Sequence, residues 1–138
     1  MKISNFKLLL AALVVGLAFS SCQKEESFNR NDLYGLWLED NTQHYVRFTT
    51  EQSDEAGYLY GREWDLAEKV TEEKLQPYGN GWFKYLFETN GNLTEIHLMD
   101  NGGAEIPKVY VVAVLTADKL EYYEKDYKNI RFKYTRAE

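Results

Sequence analysis

The sequence predicts an all-β fold, a single eight-stranded antiparallel up-and-down β-barrel over residues 33–138. Beyond residue 32 the chain is rich in Tyr, Phe, Val and Thr, contains only two prolines, and is interrupted by short turn signals such as DNTQ and DNGG. The runs follow one another without a long crossover, so consecutive strands are expected to pair. Closure of the sheet is favoured because it removes the two exposed edges.

Three strands are predicted in the first half of the domain, followed by a less regular segment. The strands are LYGLWLE, HYVRFTT and GYLYGREWD. Residues 66–79 contain good helix formers, with Leu66 and Val70 four positions apart. This segment is expected to form either a short helix that stops before Pro77 or an irregular loop over one end of the barrel.

The clearest hairpin is GWFKYLFETNGNLTEIHLMDNGG. The Asn90-Gly91 pair lies between two alternating runs, which is typical of a two-residue type I′ turn. Such a turn would pair Tyr85 with Ile96 on the inner face and Lys84 with His97 on the solvent face. The remaining strands are predicted in IPKVYVVAVL, LEYYEKD and IRFKYTR.

Alternation along the strands places many aromatic and aliphatic side chains inside the barrel. An eight-stranded barrel is just wide enough to be filled by side chains or to hold one small ligand. A packed core and a partly open pocket are therefore both open alternatives. The residues expected to line such a pocket are Phe48, Phe83, Tyr85, Phe87, Ile96, Leu98, Tyr110, Phe132 and Tyr134.

Three residues are expected to close the barrel. An inward Trp37 at the start of the first strand would plug one end, and Gly35 would leave space for the indole and for a tight bend. Alternation puts Arg136 of the last strand on the same inner face. Its guanidinium would lie over the indole in a cation–π contact of about 0.5 to 2 kcal/mol.

This combination resembles the lipocalin and wider calycin pattern and, more narrowly, the lipocalin-like lipoproteins of Bacteroidetes. The resemblance covers residues 33–138 and rests on the early Gly-x-Trp, the eight meandering strands and the final inward Arg. It implies that Gly35, Trp37 and Arg136 are structural and carry no catalysis. The domain is shorter than typical ligand-carrying lipocalins, lacks their disulfide and shows no long helix after the last strand.

Residues 1–21 are expected to be a signal peptide that is cleaved off. Lys2 and Lys7 precede an apolar run over residues 8–19, which is shorter than the roughly 20 residues that span a bilayer as a helix. The sequence AFSSC looks like a bacterial lipobox, which implies cleavage before Cys22 and acylation of its thiol, for example with palmitate. Residues 22–32 would then be the acylated cysteine and a flexible tether.

The residues after Cys22 bear on location and partners. QKEES resembles the Lys-acidic-acidic signal that sends lipoproteins of Bacteroidetes to the outer face of the outer membrane, and a merely solvated tether is the alternative. We expect an outer-membrane lipoprotein, with surface display left open. The whole chain has a net charge of −6, and loss of Lys2 and Lys7 makes it more negative, so nucleic acid is not an expected partner.

No catalytic, metal or cofactor site is expected. Cys22 would be acylated and so unavailable as a nucleophile. His44 and His97 have no second histidine nearby in the sequence and are expected to be ordinary surface residues. Glu63 and Asp65 share a strand face, as an acid–base pair would, but such pairs are common in a chain with 22 acidic residues.

Two functions of different classes remain as hypotheses. The first is a membrane-anchored binding module that holds a small hydrophobic or aromatic molecule in the barrel. The second is an accessory lipoprotein with a filled barrel, which binds a glycan or a protein, for example as an inhibitor, through the surface aromatics Trp64, Tyr78 and Trp82. The interior volume distinguishes them, because ligand pockets begin at about 300 Å³.

Overall fold

Eight antiparallel strands close into one barrel in the computed structural model, which describes residues 27–138. Each strand pairs with the next in sequence, and the last pairs with the first. The predicted all-β up-and-down barrel is confirmed. The predicted signal peptide and lipobox, with Cys22, lie outside the described residues. The strands are β1 (Gly35–Glu39), β2 (His44–Gln52), β3 (Leu59–Asp65), β4 (Trp82–Phe87), β5 (Asn92–His97), β6 (Lys108–Leu115), β7 (Lys119–Glu124) and β8 (Tyr127–Arg136).

The residues just before β1 cover one end of the barrel. The ring of Phe28 packs against that of Phe87 with 6.3 Å between centroids, and its amide donates to the carbonyl of Thr89 at 2.8 Å. A 3-10 turn follows at Arg30–Asp32, and Leu33 is fully buried. The prediction of a flexible tether over residues 22–32 is therefore wrong for residues 28–32, because the chain belongs to the fold from Phe28 onwards.

The segment after β3 forms an irregular loop with two 3-10 turns, Leu66–Glu68 and Glu72–Lys74. The described residues contain no α-helix here. The first turn is capped by Asp65, which accepts a hydrogen bond from the amide of Ala67, and it ends at Lys69, whose φ is +61°. The loop lies against the outer face of β2 and β3 rather than over the end of the barrel, because Glu72 binds arginines on both strands.

The hairpin between β4 and β5 has a three-residue loop, and the predicted register is wrong. The amide of Glu88 donates to the carbonyl of Asn92 at 2.8 Å, and the amide of Gly91 donates to the carbonyl of Glu88 at 2.9 Å. Thr89, Asn90 and Gly91 thus form the loop, with Gly91 at a φ of +111°. This is the turn-plus-bulge geometry next most common after two-residue loops. The extra residue shifts the pairing by one position.

The shift exchanges the inward-facing and outward-facing residues of β5. The observed pairs are Phe83 with His97, Tyr85 with Glu95, and Phe87 with Leu93. Because the β4 partners face inward, Glu95 and His97 also point into the barrel. Ile96 pairs with Lys84 instead and lies on the outer face, so its predicted place in the interior is wrong.

Aromatic side chains fill the half of the barrel that the residues before β1 cover. Phe48 packs edge-on against Tyr85 and Phe83, at centroid distances of 5.0 and 5.8 Å. Gly61 makes room for this cluster, because a Cβ at that position would overlap the ring of Phe83. Full burial of each such ring stabilises the fold by roughly 1.5–3 kcal/mol.

The barrel is closed through Trp37 and Arg136, which are paired across β1 and β8. The guanidinium carbon of Arg136 lies 4.2 Å from the centroid of the indole, and its Nη1 donates to the carbonyl of Tyr34 at 2.7 Å. The indole Nε1 donates to the carbonyl of Leu33 at 2.8 Å. A Cβ on Gly35 would lie 2.5 Å from Nη1 of Arg136, so only glycine fits beside this contact.

Candidate functional site

A cavity of about 410 Å³ opens at the end of the barrel away from the Trp37 plug. This volume is within the range of small-molecule sites, which is about 300–1,000 Å³. Its walls come from inward residues of seven strands and from one residue of the loop between β5 and β6. The lining residues are Glu39, His44, Glu63, Glu95, His97, Glu105, Lys108, Tyr110, Tyr122, Phe132 and Tyr134.

One wall of the cavity is a row of alternating imidazoles and carboxylates. Glu63 of β3 lies between the two histidines, with 3.4 Å from Oε2 to Nε2 of His44 and 3.4 Å from Oε1 to Nδ1 of His97. His97 continues the row, because its Nε2 lies 2.9 Å from Oε1 of Glu95. Three strands thus bring four ionisable side chains into contact inside the mouth.

These contacts shift the protonation of the row. The hydrogen bond to Glu63 raises the pKa of His44, although burial opposes it. Burial also opposes protonation of His97, but the hydrogen bond to Glu95 and the charges of Glu95 and Glu63 outweigh it and raise the pKa of His97. Burial opposes ionisation of Glu63, yet the two histidines lower its pKa. Glu63 therefore favours two protonated histidines beside it.

Glu95 is the most unusual member of the row. It is only 4% exposed, and its Oε2 has no hydrogen-bond partner among the described residues. Burial raises the pKa of Glu95, and the hydrogen bond from His97 offsets this only in part. Buried carboxylate oxygens are normally hydrogen-bonded, so an unpartnered one in a cavity wall marks a candidate binding group.

The opposite wall is aromatic. Tyr110, Tyr122 and Phe132 pack with ring centroids 5.1 to 6.3 Å apart, and Tyr134 stacks on Tyr122 at 5.5 Å. The hydroxyl of Tyr122 donates to that of Tyr134 at 3.0 Å. Burial raises the pKa of Tyr122 well above its usual range, so this wall is uncharged at neutral pH. Such rings offer flat apolar surface to an aromatic ligand.

The pocket predicted from alternation is divided by the structure. Tyr110, Phe132 and Tyr134 line the large cavity, whereas Ile96 and Leu98 do not. Phe48 and Phe83 are buried in the packed half of the barrel. The remaining two residues, Tyr85 and Phe87, border a smaller cavity of about 180 Å³ at the covered end, together with Arg30 and Tyr34.

The predicted surface patch of Trp64, Tyr78 and Trp82 is wrong. Trp64 and Trp82 are each only 8% exposed, and of the three only Tyr78 is exposed. Trp64 stacks on Tyr45 with 5.7 Å between centroids, while Trp82 packs against Tyr60 and Tyr78. Tyr78 of the loop after β3 lies on Trp82, and Tyr45 of the neighbouring strand lies on Trp64. Both indoles therefore contribute to packing rather than to a free surface.

The charged wall is the part of the site that sequence reasoning misses. The sequence predicts that His97 faces solvent, but the three-residue loop turns it inward together with Glu95. Glu63 and Asp65 share a strand face in the sequence, but Glu63 lines the cavity whereas Asp65 caps a 3-10 turn. The available signal was the spacing of Leu93, Glu95 and His97, which gives one face of β5 a polar end near the mouth.

Among residues 27–138 no three His, Cys, Asp or Glu side chains are arranged to hold a metal ion. Within the same residues, no helix is long and apolar enough to cross a membrane.

Comparison with protein-family models, curated proteins and solved structures finds no match for this chain.

Proposed function

We propose that this protein is a lipocalin-like lipoprotein that is anchored to the outer membrane through an acylated Cys22 and binds a small aromatic molecule in the mouth of its barrel. The observation that carries the binding role is the cavity of about 410 Å³ with an aromatic wall. The resemblance of AFSSC to a lipobox supports the anchor. Cell-surface display is part of the proposal and is supported by the QKEES sequence after the cysteine.

The hypothesis of a filled barrel that acts through surface aromatics has less support. The mouth of the barrel is open, and the two indoles of the predicted patch are covered. Binding inside the barrel therefore agrees with more of the observed features than binding through surface aromatics does. It also gives a role to the polar residues that interrupt an otherwise apolar interior.

Residues 27–138 are a suitable test protein for binding, because they contain the whole closed sheet and its core. A panel of one-ring and two-ring aromatic compounds would be screened by thermal shift, and binders would be measured by calorimetry. We expect at least one compound to bind and Phe132→Ala in the cavity wall to weaken it. Tyr123→Ala, on the outer face beside Arg131, is the matched control and should leave binding unchanged. Absence of any binder would contradict the proposal.

The anchor is tested separately on the full chain expressed in a bacterial host. Metabolic labelling with palmitate should label the wild type and not Cys22→Ala, and the label should fractionate with the outer membrane. Protease added to intact cells should digest the labelled protein if it is displayed on the surface. A wild-type chain that carries no acyl label would contradict the anchor but would leave the binding role intact.

A further inference from the structure

We infer that the aromatic ligand of the barrel mouth carries a cationic nitrogen, such as a primary ammonium, which binds the carboxylate of Glu95. This inference rests on the proposed binding role and names the chemical class of the ligand. It has two independent grounds, the unpartnered oxygen of Glu95 and the distribution of charge around the cavity.

The first ground is the environment of Glu95. Glu95 lines the cavity and is 4% exposed, and it has one carboxylate oxygen bound to His97 and the other without a partner among the described residues. Leaving a buried polar atom without a hydrogen-bond partner destabilises the folded state, and more so when the group is charged. An ammonium in the cavity would supply both the missing donor and a counter-charge.

The second ground is the sign of the charge in the mouth. Four glutamates line the cavity against one lysine, Lys108, and two histidines, so the carboxylates outnumber the cationic groups even when both histidines are protonated. Lys108 and one of the glutamates, Glu105, are exposed at the rim. Protonation of His44 and His97 reduces the negative charge without reversing it. An anionic ligand would therefore meet repulsion, whereas a cation would be attracted.

The two walls together define the shape of the ligand. The register of β5 and β6 pairs Leu93 with Tyr110 and Glu95 with Lys108, so Glu95 and Tyr110 are diagonal neighbours on the inner face. Diagonal neighbours are close enough for long side chains to share one ligand. An ammonium at Glu95 would place an attached ring near Tyr110 and Phe132, and the ammonium would also lie near the face of a tyrosine ring.

A matched set of indoles tests this inference by calorimetry on residues 27–138. Tryptamine, tryptophol and indole-3-propionate share a ring system and a similar side chain but carry a positive, neutral or negative end. We expect tryptamine to bind at least about tenfold more tightly than tryptophol, because a hydrogen bond between an ammonium and a carboxylate is stronger than one from a neutral hydroxyl. Indole-3-propionate should bind most weakly of the three.

Glu95→Gln keeps the size of the side chain and removes its charge. This variant should lose the preference for tryptamine, whereas Glu121→Gln, the same change beside Arg131 on the outside of the barrel, should retain it. Retention of the preference in Glu95→Gln would overturn the role of Glu95. The comparison of the three indoles on the unchanged protein stands even if Glu95→Gln fails to fold.

The outcomes separate the two proposals. If tryptophol or indole-3-propionate binds as tightly as tryptamine, the cationic ligand is overturned while the aromatic-binding role stands. If none of the three indoles binds, and the wider panel of aromatic compounds also gives no binder, both proposals fail.

Discussion

Glu95 and His97 lie two residues apart on β5, and Nε2 of His97 is 2.9 Å from Oε1 of Glu95 inside the mouth of the barrel. The contact lies inside the barrel because the hairpin before it has three loop residues, which directs both side chains inward. Together with Glu63 and His44, the pair makes one wall of the cavity ionisable. The other wall is aromatic, and this asymmetry is the basis of the proposed recognition.

The histidines of this wall should make the stability of the fold depend on pH. The folded-state pKa values of His44 and His97 are raised, so their stabilising contribution is fully present below the unfolded value of 6.5 and is lost as the pH rises through the folded values. The raised pKa of Glu95 acts in the same direction. The free energy of unfolding in urea should therefore decrease as the pH is raised above about 6.5.

The control for this experiment is a double variant, His44→Gln with His97→Gln. Its stability should change less with pH over the same range, because both histidines are gone and only Glu95 remains to release a proton. A wild-type protein whose stability rises from pH 6.5 to 8.5 would contradict the ion pairs described at the mouth.

Gly35 should tolerate no side chain. Its φ is +125°, and an added Cβ would lie 2.5 Å from Nη1 of Arg136. Gly35→Ala is expected to destabilise the fold by more than about 2 kcal/mol, since it combines backbone strain with a clash. Gly57→Ala is the matched control, because Gly57 also has a positive φ, +86°, but has nothing within 4 Å of the added methyl. Equal losses in urea unfolding would show that the contact with Arg136 is unimportant.

The contact between Trp37 and Arg136 should have a measurable coupling energy. A double-mutant cycle with Trp37→Leu and Arg136→Met is expected to give about 1–2 kcal/mol, because the indole is fully buried. A second double-mutant cycle, on Tyr123 and Arg131, is the control. It measures a similar cation–π contact on the outer face, where the guanidinium carbon of Arg131 lies 4.4 Å from the centroid of the Tyr123 ring. Its coupling should be smaller, and a larger value there would contradict the role given to the plug.

Glu72 should hold the loop after β3 on the outer face of the sheet. Its carboxylate lies 2.8 Å from Nε of Arg47 and 2.9 Å from Nε of Arg62. In Glu72→Gln, the amides of Lys74 and Leu75 are expected to exchange with solvent roughly fivefold faster or more, as loss of about 1 kcal/mol implies. The exposed neighbour provides the control, since Glu73→Gln should leave exchange unchanged. Unchanged exchange in Glu72→Gln would show that the loop is held by its aromatic contacts instead.

The closure of the barrel could be predicted from the sequence because it depends on residue types in a fixed order. Gly35 and Trp37 share the first strand, and alternation alone puts Arg136 on the inner face of the last. The order of strands follows from short loops in the same way. Each of these features can be read from a local sequence pattern, without knowledge of the tertiary contacts.

The interior of the mouth could not be predicted in this way. The Asn90-Gly91 pair suits a two-residue turn and also a three-residue loop, and the choice reverses every side chain of β5. A prediction from alternation also assigns charged residues to the outer face. That assignment is wrong for Glu95 and His97, which face inward where the barrel opens. The burial of Trp64 and Trp82 depends on contacts between segments, with Tyr45 of the neighbouring strand on Trp64 and Tyr78 of the long loop on Trp82.

Mapping where an amine with an aromatic ring binds tests ligand binding at the mouth of the barrel most directly. Residues 27–138 labelled with ¹⁵N would be titrated with tryptamine and followed by amide chemical shifts. We expect the changes to cluster at the mouth, at Glu95, His97, Tyr110 and Phe132. Changes confined to Tyr85 and Phe87 at the covered end, or to the outer face, would contradict it.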